Sequence, residues 1–88
     1  MNNYINGQIL SGKIDYNKEE FIVDQIKMIS TASVINEFQL HKIYNQLSHL
    51  ENEESFVLTV NDQFPLKLNA EEIDLLKSEI EHIQSLLG

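Results

Sequence analysis

The 88-residue chain has no cysteine, no tryptophan and no arginine, a single proline and three glycines. Without cysteine there are no disulfides, thiolate metal sites or thiol nucleophiles, so packing alone must hold the core. Without arginine the chain lacks the planar guanidinium fork that reads phosphates and base edges. Scarce proline and glycine, with 42% of residues hydrophobic, argue against a disordered or low-complexity chain. Uninterrupted apolar runs stop at three residues, Phe21-Ile22-Val23 and Phe56-Val57-Leu58, far short of a membrane span. Met1-Asn2-Asn3-Tyr4 lacks the basic-then-apolar opening of a secretory leader. The chain therefore reads as one cytoplasmic domain over residues 1–88, because halves of about 44 residues would each be too small for a core of their own.

What is abundant is negative charge. Fourteen acids stand against six lysines, for a formal net charge of −8. The excess is one-sided: residues 1–44 carry five acids and four lysines, and residues 45–88 carry nine acids and two lysines. Such a field repels nucleic acid and anionic membranes and attracts basic partners. Neither nucleic acid nor membrane is expected as a direct partner.

The clearest local pattern lies at residues 55–68, where Phe56, Leu58 and Val60, then Phe64, Leu66 and Leu68, alternate with other residues. This is the period of strands. A three-residue loop would pair Val60 with Phe64, Leu58 with Leu66 and Phe56 with Leu68, whereas a two-residue loop would set Leu58 against Pro65. Opposed residues share a face, so the three-residue loop is expected, with Gln63 in a left-handed conformation and Pro65 on an edge strand. Asn69-Ala70-Glu71-Glu72 is a capping-box pattern and opens a helix over about 70–87. Its seam is Ile73, Leu76, Ile80, Ile83 and Leu87, with Leu75 and Leu86 on the flank.

The first half follows a similar plan. Asn6-Gly7 signals a hairpin, Gly12 a bulge, and Asn17-Lys18-Glu19-Glu20-Phe21 matches the cap, acid pair and first apolar residue of Asn69–Ile73. Ile22, Ile26 and Ile29 suit a helix over about 18–30, although Ile22, Ile26 and Met28 also fit a strand. A further helix over about 34–51 places Leu40, Ile43, Tyr44, Leu47 and Leu50 on one stripe, leaving Phe38 off it as a second contact surface or a kink. The expected fold is α+β, hairpin-helix-helix-hairpin-helix (ββααββα), with helices packed on antiparallel strands. Two degenerate ββα units, about 4–30 and 55–87, would be joined by the helix at 34–51.

No catalytic, cofactor or metal constellation emerges. Glu37 with His41 and Glu79 with His82 each place a carboxylate beside an imidazole, but a bundle-type metal site needs several such copies, and surface helix pairs are the expectation. No serine sits in a glycine-flanked elbow, and no glycine-rich loop cradles phosphate. Gln46-Leu47-Ser48-His49-Leu50 resembles the pentapeptide by which bacterial proteins dock on the sliding clamp, with His49 where an apolar anchor stands; that resemblance implies clamp binding. The helical stripe instead employs Leu47 and Leu50 as core.

The expected function is therefore non-enzymatic. The composition fits a small acidic protein-binding module, an inhibitor or regulator docking on a basic surface of a partner protein, as a nucleic-acid charge mimic would. Glu51, Glu53, Glu54, Glu71, Asp74 and Glu81 would supply the acidic face, with Leu75 and Leu86 as apolar anchors. The alternative is a self-associating adaptor, a homodimer through Leu75 and Leu86 of the C-terminal helix.

Overall fold

The computed structural model describes residues 3–50, 55–59 and 65–87. Four strands, β1 (Tyr4–Asn6), β2 (Leu10–Asp15), β3 (Glu20–Ile26) and β4 (Ile29–Asn36), form an antiparallel meander in the order β1-β2-β3-β4. Helix α1 (Glu37–Ser48), the two-stranded hairpin of β5 (Ser55–Leu58) and β6 (Leu66–Asn69), and helix α2 (Ala70–Leu87) follow. The α+β class and the packing of helices on antiparallel strands are as expected. No helix among the described residues is long and apolar enough to cross a membrane.

Of the helix and strand readings of residues 18–30, the structure has the strand: β3, a turn at Lys27 and Met28, and the start of β4 stand where the ββααββα order placed a helix. The first unit is thus all strand rather than ββα, and the order is ββββαββα. The cause is local. Val23 faces Gly12 on β2 while Gln25 faces Ser11, so Asp24 is an extra residue in β3. Inward positions on β3 consequently fall at Phe21, Val23 and Ile26, all buried. That three-residue step from Val23 to Ile26 breaks strict alternation and imitates helical spacing. Gly12 makes the bulge sterically feasible, because a Cβ there would lie 2.1 Å from the Ile22 carbonyl oxygen. Lys27 turns the chain with φ of 58°, the sign needed at the first central position of a tight hairpin turn.

Because β4 runs to Asn36, α1 begins three residues later than expected. Asn36 caps it reciprocally: Gln39 N donates to Asn36 Oδ1 at 2.8 Å, and Asn36 N to Gln39 Oε1 at 2.9 Å. The second capping box forms as read, with Glu72 N donating to Asn69 Oδ1 and Asn69 N to Glu72 Oε1, both at 2.9 Å. Each box satisfies amides that a helix start leaves orphaned.

In the hairpin, Phe56 faces Leu68 and Leu58 faces Leu66, the pairing that the alternation requires. The Val60–Phe64 pair and Gln63 lie outside the described residues, and exposed Pro65 immediately precedes β6. The whole α2 seam, Ile73, Leu76, Ile80, Ile83 and Leu87, is buried. It packs against β2, both hairpin strands and α1. Sixteen apolar residues are buried among those described, and α2 supplies five, so α2 is the main organiser of the core. At about 1.5–3 kcal/mol for each buried large aliphatic side chain, its seam is a leading source of folding free energy.

Candidate functional site

Two surfaces among the described residues stand out, one by its charge and one by its shape. The first is the outer face of α2. Counting about 100° per residue, Glu71, Asp74, Ser78, Glu81, His82 and Ser85 fall on one side, and all are exposed. Glu71, Asp74 and Glu81 lie within about 80° of arc.

Among the described residues the acids differ in their engagement. Several are engaged within the fold. Asp15 accepts from Asn17 N at 3.1 Å and Lys18 N at 3.2 Å, closing the β2–β3 turn. Asp24 accepts from the Tyr4 hydroxyl at 3.1 and 3.2 Å; lost hydration and this carboxylate raise the Tyr4 phenol above its ordinary pKa. Glu72 pairs with Lys27 at 2.6 Å. The Lys27 bond, helped by the Asn69 amide, holds the Glu72 carboxyl below its usual range. Glu79 reaches the β1–β2 loop, where it accepts from Gln8 N at 2.7 Å, Ile9 N at 3.1 Å and Leu10 N at 2.8 Å. Glu81 accepts from the Tyr44 hydroxyl at 2.8 Å, and that bond raises the Tyr44 phenol. Glu71 and Asp74, by contrast, make no hydrogen bond or ion pair among the described residues.

Of the other expected anchors, Leu75 and Leu86 are half-buried and pack against the core. They form its margin rather than a free apolar flank. Glu51, Glu53 and Glu54 lie outside the described residues. Within the clamp-like pentapeptide, Leu47 is buried in α1, so it serves the core instead of an extended docking peptide. Glu79 is turned to loop amides rather than held for His82, and no group of three histidines or carboxylates is placed to hold a metal among the described residues.

The second surface is a groove between α1 and β5. It is open, has a volume of about 730 Å³, and is lined by Phe38, His41, Lys42, Asn45, Gln46, His49, Leu50 and Phe56. Phe38 is 74% exposed, so its position off the α1 stripe points it to solvent. His49 is fixed at the helix end by Nδ1, 2.7 Å from the Asn45 carbonyl oxygen; a carbonyl only accepts, so Nδ1 carries the proton. On the other side of Phe38 and His41, Glu37 and Gln84 complete a shallower cleft of about 510 Å³.

Phe38, His41, Lys42, Asn45 and His49 follow at steps of 3, 1, 3 and 4, which place them on one side of α1. Phe56, which arrives from a separate hairpin, is placed there by no such spacing. The chain matches no family model, no curated protein and no solved structure.

Proposed function

We propose that the chain is a small protein-binding module, an inhibitor or regulator that docks the outer face of α2 on a basic surface of a partner protein. The observation that carries this reading is the grouping of Glu71, Asp74 and Glu81 on one exposed helix face, with the first two making no internal bond or ion pair. A rigid helix presents these charges at fixed spacing, and the Tyr44 hydroxyl holds Glu81 in place. Fixed charge of one sign speeds encounter with an opposite surface and penalises wrong partners. Where the partner's basic surface ordinarily holds nucleic acid, the same contacts make the chain a charge mimic.

The test is capture of partners from host lysate at low and high salt, using the native chain and the triple variant Glu71→Gln, Asp74→Asn and Glu81→Gln. A basic partner retained by the native chain, released by salt and lost by the variant is the expected result. A partner held equally by both, with unchanged salt dependence, rejects the α2 face.

A further inference from the structure

We infer that Asn6 is a site of spontaneous deamidation, and that the Glu79 carboxylate slows the reaction in the folded chain by closing the β1–β2 loop. Of nine asparagines, only Asn6 is followed by glycine. In that pair no side chain hinders the next backbone nitrogen from reaching the carboxamide carbon. The Gly7 nitrogen, its proton taken by solvent base, bonds to Asn6 Cγ. The Cγ–Nδ2 bond breaks, and Nδ2 departs as ammonia with a proton from water. Water then opens the five-membered imide. Cleavage at Cγ leaves an aspartyl residue, and cleavage at the main-chain carbonyl leaves an isoaspartyl residue, whose backbone is longer by one carbon. Either product carries a negative charge that asparagine lacks, and water is the only co-reactant.

The fold opposes ring closure at several points. Asn6 is exposed to the water that hydrolysis requires, but it ends β1 in extended backbone opposite Ser11, and that backbone must rotate before the ring can form. The Gly7 amide donates to the Leu10 carbonyl at 3.0 Å, which keeps its proton engaged. The buried Ser11 hydroxyl lies 3.2 Å from the Gly7 carbonyl oxygen and 3.4 Å from Asn6 Oδ1. Yet β1 has three residues and lies at the edge of the sheet, the kind of element that opens locally while the rest of a domain stays folded. Glu79 holds the connection shut, accepting from Gln8 N at 2.7 Å, Ile9 N at 3.1 Å and Leu10 N at 2.8 Å. The lability is built in. A Cβ at position 7 would stand 2.5 Å from the Leu10 carbonyl oxygen and 2.6 Å from Glu79 Cδ, so the loop needs glycine at the one position where glycine leaves Asn6 open to attack.

The experiment is incubation of the native chain at mildly alkaline pH, folded and in urea, beside folded Glu79→Ala and Glu79→Gln. Peptide mass spectrometry follows conversion at each asparagine, and circular dichroism reports the fold of each variant. In urea, Asn6 should convert faster than any other asparagine, and in the folded native chain at least tenfold more slowly than in urea. Loss of three bonds to a charged acceptor should make Asn6 convert roughly tenfold or more faster in Glu79→Ala than in the native chain. Glu79→Gln, which keeps one acceptor oxygen, should fall between them. It carries the comparison if Glu79→Ala does not hold a native fold. Equal rates in the folded and urea-treated native chain would overturn the inference. So would equal rates in the native chain and the folded Glu79 variants, or faster conversion at another asparagine in urea. The measurement involves no partner, so its outcome is independent of the α2 docking face.

Discussion

Lys27 Nζ lies 2.6 Å from Glu72 Oε2, joining the β3–β4 turn to the first turn of the last helix. The same lysine donates its backbone amide to the Ile9 carbonyl at 2.7 Å, so one residue with φ of 58° links three segments. The Glu72 carboxyl is depressed in the folded state, chiefly by Lys27. A depressed acid contributes stability that is present above its unfolded pKa of about 4.3 and is lost as pH falls through the lower folded value. Glu72→Gln keeps the capping geometry, because glutamine can accept from the Asn69 amide, but removes the titration. Chemical denaturation from pH 7 to pH 2 should therefore show a shallower acid loss in Glu72→Gln than in the native chain. Lys27→Met should reproduce most of that flattening.

Glu79 satisfies three consecutive amides, Gln8 N, Ile9 N and Leu10 N, with one carboxylate. Hydrogen bonds to a charged acceptor contribute more than neutral ones, and here the Gln8 bond is exposed while those of Ile9 and Leu10 are partly buried. Glu79→Ala should lower the unfolding free energy by roughly 1.5–3 kcal/mol. Amide hydrogen exchange should accelerate first at residues 8–10 if the carboxylate acts as described.

Gly7 lies against the same carboxylate. A Cβ there would stand 2.6 Å from Glu79 Cδ and 2.5 Å from the Leu10 carbonyl oxygen. Gly7→Ala should displace Glu79 and also press on the Leu10 carbonyl, so its cost should overlap in part with that of Glu79→Ala and keep a share of its own. A double-mutant cycle in urea reads the shared part as a coupling energy, and a coupling of zero would contradict it.

At Gly12 the obstacle is backbone, 2.1 Å from a new Cβ, and cannot rotate away. Gly12→Ala should cost more than about 2 kcal/mol, by undoing the β2–β3 bulge. The equally conservative Ala32→Gly, at an exposed strand position, should cost only about 1 kcal/mol. Thermal melts of the pair rank the two.

In the core, Ile80 and Leu76 of α2 are fully enclosed. Truncation of either to alanine should remove about 2–5 kcal/mol, enough to consume much of the stability of a domain this size. Loss of cooperative unfolding in calorimetry is the expected signature.

The elements that could be read from sequence are those whose determinants are local and unbroken. The β5–β6 register followed from alternation on both arms, and α2 from the Asn69–Glu72 box and a seam without interruption. β3 escaped because Asp24 adds one residue to the strand, and the resulting spacing of Phe21, Val23 and Ile26 resembles that of a helix. The acidic face was legible only in part. Periodicity places Glu71, Asp74 and Glu81 outward, but it does not reveal that Glu79 is spent on amides some 70 positions away. Nor does it show that Leu75 and Leu86 close the edge of the core. The groove required Phe38 of α1 and Phe56 of β5 to line one concavity, a relation that no single periodic segment encodes.

The reach of Glu79 back to Gln8, across 71 positions, also orders events during synthesis. The β1–β2 loop leaves the ribosome long before its acceptor is made, so the meander must wait in water with three amides solvated and its inner face uncovered. The loop gains its acceptor only when α2 packs, so a contact of long sequence separation, costly in loop-closure entropy, completes the β1–β2 connection.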